Sequence, residues 1–271
     1  MSATTLSDLS LAGAFHAARA QDRAALVPYV TAGHPSPAAT AEILTGIADD
    51  GADVIELGIP FSDPLADGPT IQRSSFEAIE QGVDLRWTLD ALADFRAKRD
   101  TPVVLFTYLN PVLRHGLDRF LADAADAGAQ GLLLTDLPVG ADPALEARIN
   151  ASALDLIRLV APTTKPERVR EIAAAARGFL YYVSRTGVTG ARQELASGLA
   201  AEVEEVRRMT DVPVAVGFGI STPEQAATVA RVADGVVVGS ALVDALRAEG
   251  IEGGRRFVRE LRKAVEGARR A

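Results

Sequence analysis

The chain has 271 residues, 48% of them apolar and 24% charged, which is enough for a large core and unlike a disordered or fibrous composition. A formal net charge of -8 and a pI of about 5.0 argue against a nucleic-acid partner, so any anionic ligand must be gripped locally. Without cysteine there is no disulfide frame, thiolate metal site or Cys nucleophile, and no run reaches the roughly 18–20 apolar residues of a membrane span.

In chain order, the opening MSATTLSDLSLAGAF lacks the basic start and long apolar core of a secretory leader. A cytoplasmic protein is expected, with an amphipathic helix near residues 5–20. The first apolar run, LVPYVT at 26–31, reads as a strand, and Ser36-Pro37 marks the helix start after it. DVIELG at 53–58 follows the helix-ending turn Asp50-Gly51-Ala52. PVVLFT at 102–107 comes next, then GLLLTD at 131–136 behind the turn Ala127-Gly128-Ala129. Asp142-Pro143 opens a helix ahead of LDLIRLV at 154–160. Thr164-Lys165-Pro166-Glu167 has capping-box spacing, and FLYYVS at 179–184 follows Arg177-Gly178. Ser221-Thr222-Pro223-Glu224 repeats that spacing between VPVAVGF at 212–218 and GVVVGS at 235–240. A last helix is expected at 251–268, its basic residues forming a solvated face.

The strands recur roughly every 30 residues and are apolar almost throughout, as strands of a parallel sheet covered by helices on both sides must be. Eight such units, with no linker and no low-complexity tract, predict an α/β protein. The expected architecture is a single-domain (β/α)8 TIM barrel over residues 1–271 with extra N-terminal and C-terminal helices. A doubly wound open sheet is the rival, weakened because Tyr29-Val30-Thr31-Ala32-Gly33-His34 stands where a GxGxxG turn would be.

Active sites of such barrels lie at the carboxyl ends of the strands, which places ELGIPFSDPLADGP at the mouth. Glu56 shares a strand face with Val54 and Gly58, and that face is either the barrel interior or the helix layer. Burial on either side raises a carboxyl pKa towards the range useful for acid–base chemistry, although a buried ion pair would also explain the residue. Asp63 and Asp67 sit in a loop stiffened by Pro60, Pro64 and Pro69. Ser-Asp-Pro is ordinary turn chemistry, the preferred reading of Asp63, whereas Asp67 stands open between a turn role and a chemical one.

Glycines end the last three strands, in SRTGVTG at 184–190, GFGIS at 217–221 and the Gly239-Ser240 pair that leads directly into a helix. Backbone N–H groups there, with a helix N-terminus, are expected to form a phosphate cradle that needs no lysine, ordinary turn glycines being the alternative reading. His16, His34 and His115 lack metal-ligand spacing, no GxSxG elbow occurs, and Trp87 reads as a packing residue.

The motifs ELGIPFSDPLADGPTIQ, VPYVTAGHP, YLNPV, TDLP, YYVSRTGVTGAR, GFGIS and VVGSALV, in this order over roughly residues 25–247, resemble the tryptophan synthase alpha chain family. The resemblance implies a (β/α)8 barrel that cleaves indole-3-glycerol phosphate to indole and glyceraldehyde 3-phosphate by a retro-aldol reaction. It makes Glu56 the acid/base group and Asp67 the carboxylate that meets the indole N–H. Tyr181 falls beside the catalytic glutamate, and Gly190, Phe218, Gly219, Gly239 and Ser240 fall at phosphate-binding positions. Tyr29, Phe106 and Leu133 fall where the family lines its indole pocket. It further implies no metal or organic cofactor in this chain, and a pyridoxal-phosphate beta chain as partner in an alpha2beta2 heterotetramer. Other phosphate-binding barrels, such as sugar-phosphate isomerases, would be expected to carry strand-end lysines, and no predicted strand contains a lysine.

Overall fold

A computed structural model describes residues 10–184, 192–217 and 219–268. Eight parallel strands close into a barrel in sequence order: β1 (Ala25–Thr31), β2 (Ile55–Gly58), β3 (Val103–Thr107), β4 (Gly131–Leu134), β5 (Asp155–Val160), β6 (Leu180–Val183), β7 (Val214–Gly217) and β8 (Gly235–Val238). The helices pack outside or at the ends: α1 (Leu11–Ala20), α2 (Thr40–Asp49), α3 (Pro69–Glu80), α4 (Leu85–Arg96), α5 (Leu109–His115), α6 (Leu117–Asp126), α7 (Pro143–Asn150), α8 (Pro166–Ala174), α9 (Arg192–Arg207), α10 (Pro223–Ala230) and α11 (Ser240–Gly267). No helix among the described residues is long and apolar enough to cross a membrane.

The strands are apolar almost throughout because each faces two dry layers. Ile55, Leu57, Val103 and Leu105 join the core between strands and helices, whereas Val54, Val104, Leu133 and Ile157 meet inside the barrel. Helix α1 closes the floor of that inner core. Leu11 and Phe15 belong to it, and the Phe15 ring lies 5.2 Å from that of Phe179. The approach is close enough to demand glycine at two strand starts. A Cβ on Gly131 would lie 2.8 Å from Leu11, and one on Gly235 2.6 Å from Phe15. The N-terminal helix anticipated near residues 5–20 is therefore a stopper, observed from Leu11; residues 1–9 lie outside the described residues.

Several local expectations need correction. The connections after β2 and β3 each hold two helices rather than one. The box at the start of α10 uses Thr222 and Gln225, one residue beyond the Ser221–Glu224 pair, because Thr222 is the residue with extended backbone at the cap. At α8 no box forms: Thr164 instead accepts the Ala161 N–H within the preceding turn, and Lys165 takes the cap position. The terminal helix does follow as a separate element, divided from the helix after β8 by a kink at Gly250, where φ is 68° and ψ -165°. Its basic face is not simply solvated. Arg255 and Arg259 grip Asp50, and Arg262 joins Arg23 on Asp53, tying the helix to the turn before β2.

One polar network is buried outside the barrel lumen. Arg158 on β5 ion-pairs with Glu146 of α7 and donates to the Leu137 carbonyl at 3.3 Å, while Glu146 accepts the Gly140 N–H at 2.7 Å. The network fixes the loop after β4 on the mouth side.

Candidate active site

The orientation of Glu56 is decided by its neighbours. Ile55 and Leu57 lie in the outer core and Val54 in the inner one, so strand alternation turns Glu56 into the lumen. It is 1% exposed, its Oε1 has no hydrogen-bond partner, and burial raises its pKa to about 8. The neutral acid therefore predominates at neutral pH, held where an ion would be costly. Of the two readings left by the sequence, the interior one is correct and no arginine pairs with it among the described residues.

Two tyrosines flank it. Tyr29 stands opposite Glu56 in the β1–β2 register, and Tyr181 reaches in from β6. Each ring occupies the space of a missing side chain: a Cβ on Gly58 would lie 2.2 Å from the Tyr29 Oη, and one on Gly217 2.1 Å from that of Tyr181. Burial raises the pKa of both phenols, and the charges of Glu56 and Asp67 raise them further, so each tyrosine lies within electrostatic reach of both carboxyl groups. The Tyr29 Oη lies 3.2 Å from the Thr31 Oγ1, which lies 2.7 Å from the Ser74 Oγ, and its ring meets Phe106 edge-on at 5.3 Å. Phe106 and Leu133 are in register on β3 and β4, and both border the inner core. The three residues named for the indole pocket are thus close together, Tyr29 on β1 reaching past β2 to Phe106 on β3, with Leu133 beside it on β4.

Asp67 lies at the mouth, half-buried, on the loop that leaves β2. The Tyr108 hydroxyl donates to its Oδ2 at 3.0 Å and accepts the Ala66 N–H at 2.9 Å. Burial raises the Asp67 pKa to about 6, a rise tempered by the Tyr108 hydrogen bond. Asp63 is exposed and takes a hydrogen bond from Ser62, as a turn residue does. Tyr108 is a site residue that sequence reasoning passed over, along with Thr31 and Ser74. Its signal was its position, the residue directly after β3 at the start of YLNPV.

At the other side of the mouth, Gly239 caps α11 with Ser240 as the first helical residue, and the Gly239 backbone runs past Tyr29. Gly219 follows β7 with φ 74°. Gly190 and Phe218 lie outside the described residues. Among the described residues, the glycines expected at the phosphate include Gly239 at the N-terminus of α11 at the mouth, an end of a helix whose dipole favours an anion.

A closed eightfold parallel barrel, with one carboxyl buried in its lumen and a second at its mouth, is a protein of the TIM-barrel class. Comparison with known proteins narrows the class. The sequence model of the family described as "Tryptophan synthase alpha chain" matches residues 15–269. The tryptophan synthase alpha chain of Geobacter sulfurreducens is 49% identical over 259 residues, 94% of this chain and 98% of that one. The crystal structure of tryptophan synthase subunit alpha from Legionella pneumophila superposes with a TM-score of 0.87 at 36% identity, covering 94% of this chain and 98% of that chain. A chain in the aminoacrylate-bound tryptophan synthase of M. tuberculosis gives 0.85 at 40% identity, covering 94% and 99%. This chain belongs to the tryptophan synthase alpha chain family, as the sequence motifs implied, and is a lyase.

Proposed function

We propose that this chain cleaves indole-3-glycerol phosphate with Glu56 as its proton carrier and Asp67 as the carboxylate at the indole N–H. The observation that carries the reading is the Glu56 carboxyl: inside the barrel, unpartnered at Oε1 and largely protonated at neutral pH. It delivers its proton to ring C3, and Asp67, largely ionised, offsets the positive charge that develops on the ring nitrogen. The bond from C3 to the side chain then breaks, its electrons returning to the ring. The adjacent glycerol hydroxyl becomes the aldehyde of glyceraldehyde 3-phosphate, and its proton restores Glu56. Tyr29, Phe106, Leu133 and Tyr181 enclose the ring, and Gly239, Ser240 and Gly219, with Gly190 and Phe218, hold the phosphate.

This chemistry calls on no metal or cofactor in this chain, and pyridoxal phosphate is assigned to the partner beta chain alone. Leu65, Leu113 and Phe76, which are 91%, 49% and 59% exposed, stand on the loop and helices following β2 and β3. Apolar side chains so exposed beside the entrance support a protein partner there, read as the beta chain of an alpha2beta2 heterotetramer. Residues 1–271 are read as one domain of a cytoplasmic enzyme.

The test is direct: indole-3-glycerol phosphate added to the purified chain releases indole and glyceraldehyde 3-phosphate in equal amounts, and absence of indole, with or without a beta chain, overturns the reading. The cradle has its own prediction. Gly239 has φ -111° and room for a Cβ, 3.6 Å from Tyr29, so Gly239→Val folds but pushes its methyls towards the anion. The KM for the phosphorylated substrate rises roughly tenfold to a hundredfold, the worth of one or two displaced hydrogen bonds to a charged group. An unchanged KM rules out this cradle. Gly219 is a poorer probe, because its positive φ strains any side chain.

A further inference from the structure

Three features of Tyr108 set it apart from a packing aromatic. It is the residue immediately after β3, held on the barrel rim and buried, with its ring 5.2 Å from that of Phe61. Its hydroxyl takes the N–H of Ala66 and gives its proton to the neighbouring Asp67. The two bonds differ in direction, and together they fix the phenol. With Ala66 donating to the oxygen, the O–H is directed to the carboxylate, and consecutive loop residues are pinned to one atom of the scaffold. Gln72 of α3 adds a third hold, donating to the Asp67 carbonyl at 2.9 Å.

We propose that Tyr108 is the positioning residue for Asp67, clamping one carboxylate oxygen and the loop behind it so that the other oxygen is presented to the substrate's ring N–H. This rests on the role given to Asp67 under the proposed function and adds the device that aims it. A carboxylate on a loop otherwise has free rotation about two side-chain bonds, and a charge aimed before the reaction begins costs no reorganisation during it. The clamp holds through catalysis because burial and the nearby Asp67 charge push the Tyr108 phenol up to about 12, which keeps it a donor throughout the working range. The same bond lowers the pKa of Asp67, so aim and ionisation are maintained by one hydroxyl.

Tyr108→Phe removes that oxygen alone. The expected result is a kcat reduced about tenfold to a hundredfold, the worth of one hydrogen bond to a charged group, with KM changed less than threefold. The acid limb of the kcat/KM profile moves to higher pH, since Asp67 loses the donor that favoured its charged form. In an Asp67→Asn background the same change has almost no further effect. A role confined to packing would lower the melting temperature, leave the acid limb in place and add in full to Asp67→Asn; that pattern overturns the proposal. If Tyr108→Phe does not fold, 3-fluorotyrosine at position 108 keeps the shape and strengthens the donor. The acid limb then moves to lower pH, and an unmoved limb again overturns the clamp. Should Asp67→Asn keep the wild-type rate, the role of Asp67 itself fails, a result distinguishable from failure of the clamp.

Discussion

Glu56→Gln folds into the same barrel and releases indole about 10²–10⁴ times more slowly than the parent chain, the usual worth of a positioned proton donor. The amide fills the same space and can still form hydrogen bonds, but it carries no proton to give to carbon and accepts none from a hydroxyl. Single-turnover release of indole is the measurement, and a variant that keeps more than a tenth of the rate removes Glu56 from the mechanism. The same substitution has a thermodynamic signature. The folded pKa of about 8 lies above the ordinary 4.5, so the folded chain holds a proton that the unfolded chain gives up. Stability is therefore lost as pH rises from about 4.5 to about 8, and the glutamine variant, which has no such group, escapes that loss. Melting curves of the two proteins should separate progressively across this window, with the variant on top. Curves that stay parallel would show that the carboxyl is not neutral in the folded state.

Arg158→Ala is expected to lower stability by about 3–5 kcal/mol, because it strands the Glu146 carboxylate with no cation in a buried layer. Urea denaturation followed by circular dichroism measures it. Replacing both partners, Arg158→Met with Glu146→Leu, should recover most of the loss, since an apolar pair of similar volume carries no desolvation cost. Recovery will be incomplete, because the Gly140 N–H loses its acceptor. A single variant within 1 kcal/mol of the parent would mean that water reaches Glu146 and that the loop after β4 is held by other contacts.

The barrel was readable from sequence because a strand covered on both faces is written as a nearly continuous apolar run, and eight such runs fall where β1 to β8 lie. What escaped was whatever depends on a distant partner. The arginines of α11 look solvated on a helical wheel, yet Arg255 and Arg262 meet Asp50 and Asp53 across 205 and 209 positions of chain. The cap of α10 slipped by one residue because Ser221 and Thr222 are adjacent and both have the right chemistry, so only the backbone angles choose between them. In the site, Glu56 stood out as a charge within an apolar strand. The side it faces did not, since both sides are equally apolar in the sequence and only closure of the sheet makes one of them a lumen. Tyr108 was hidden for a further reason: nothing local shows that the loop after β2 bends over the end of β3.

The stopper formed by α1 turns the barrel into a blind well. Leu11 and Phe15 fill its base, so in the proposed mechanism a ring released beside Glu56 has the rim as its way out, the same rim that admits the intact substrate. Whatever sits on that rim therefore governs arrival and departure together. A molecule that docked there without opening a passage of its own would silence the enzyme, and one that brought a conduit would receive each product before solvent did.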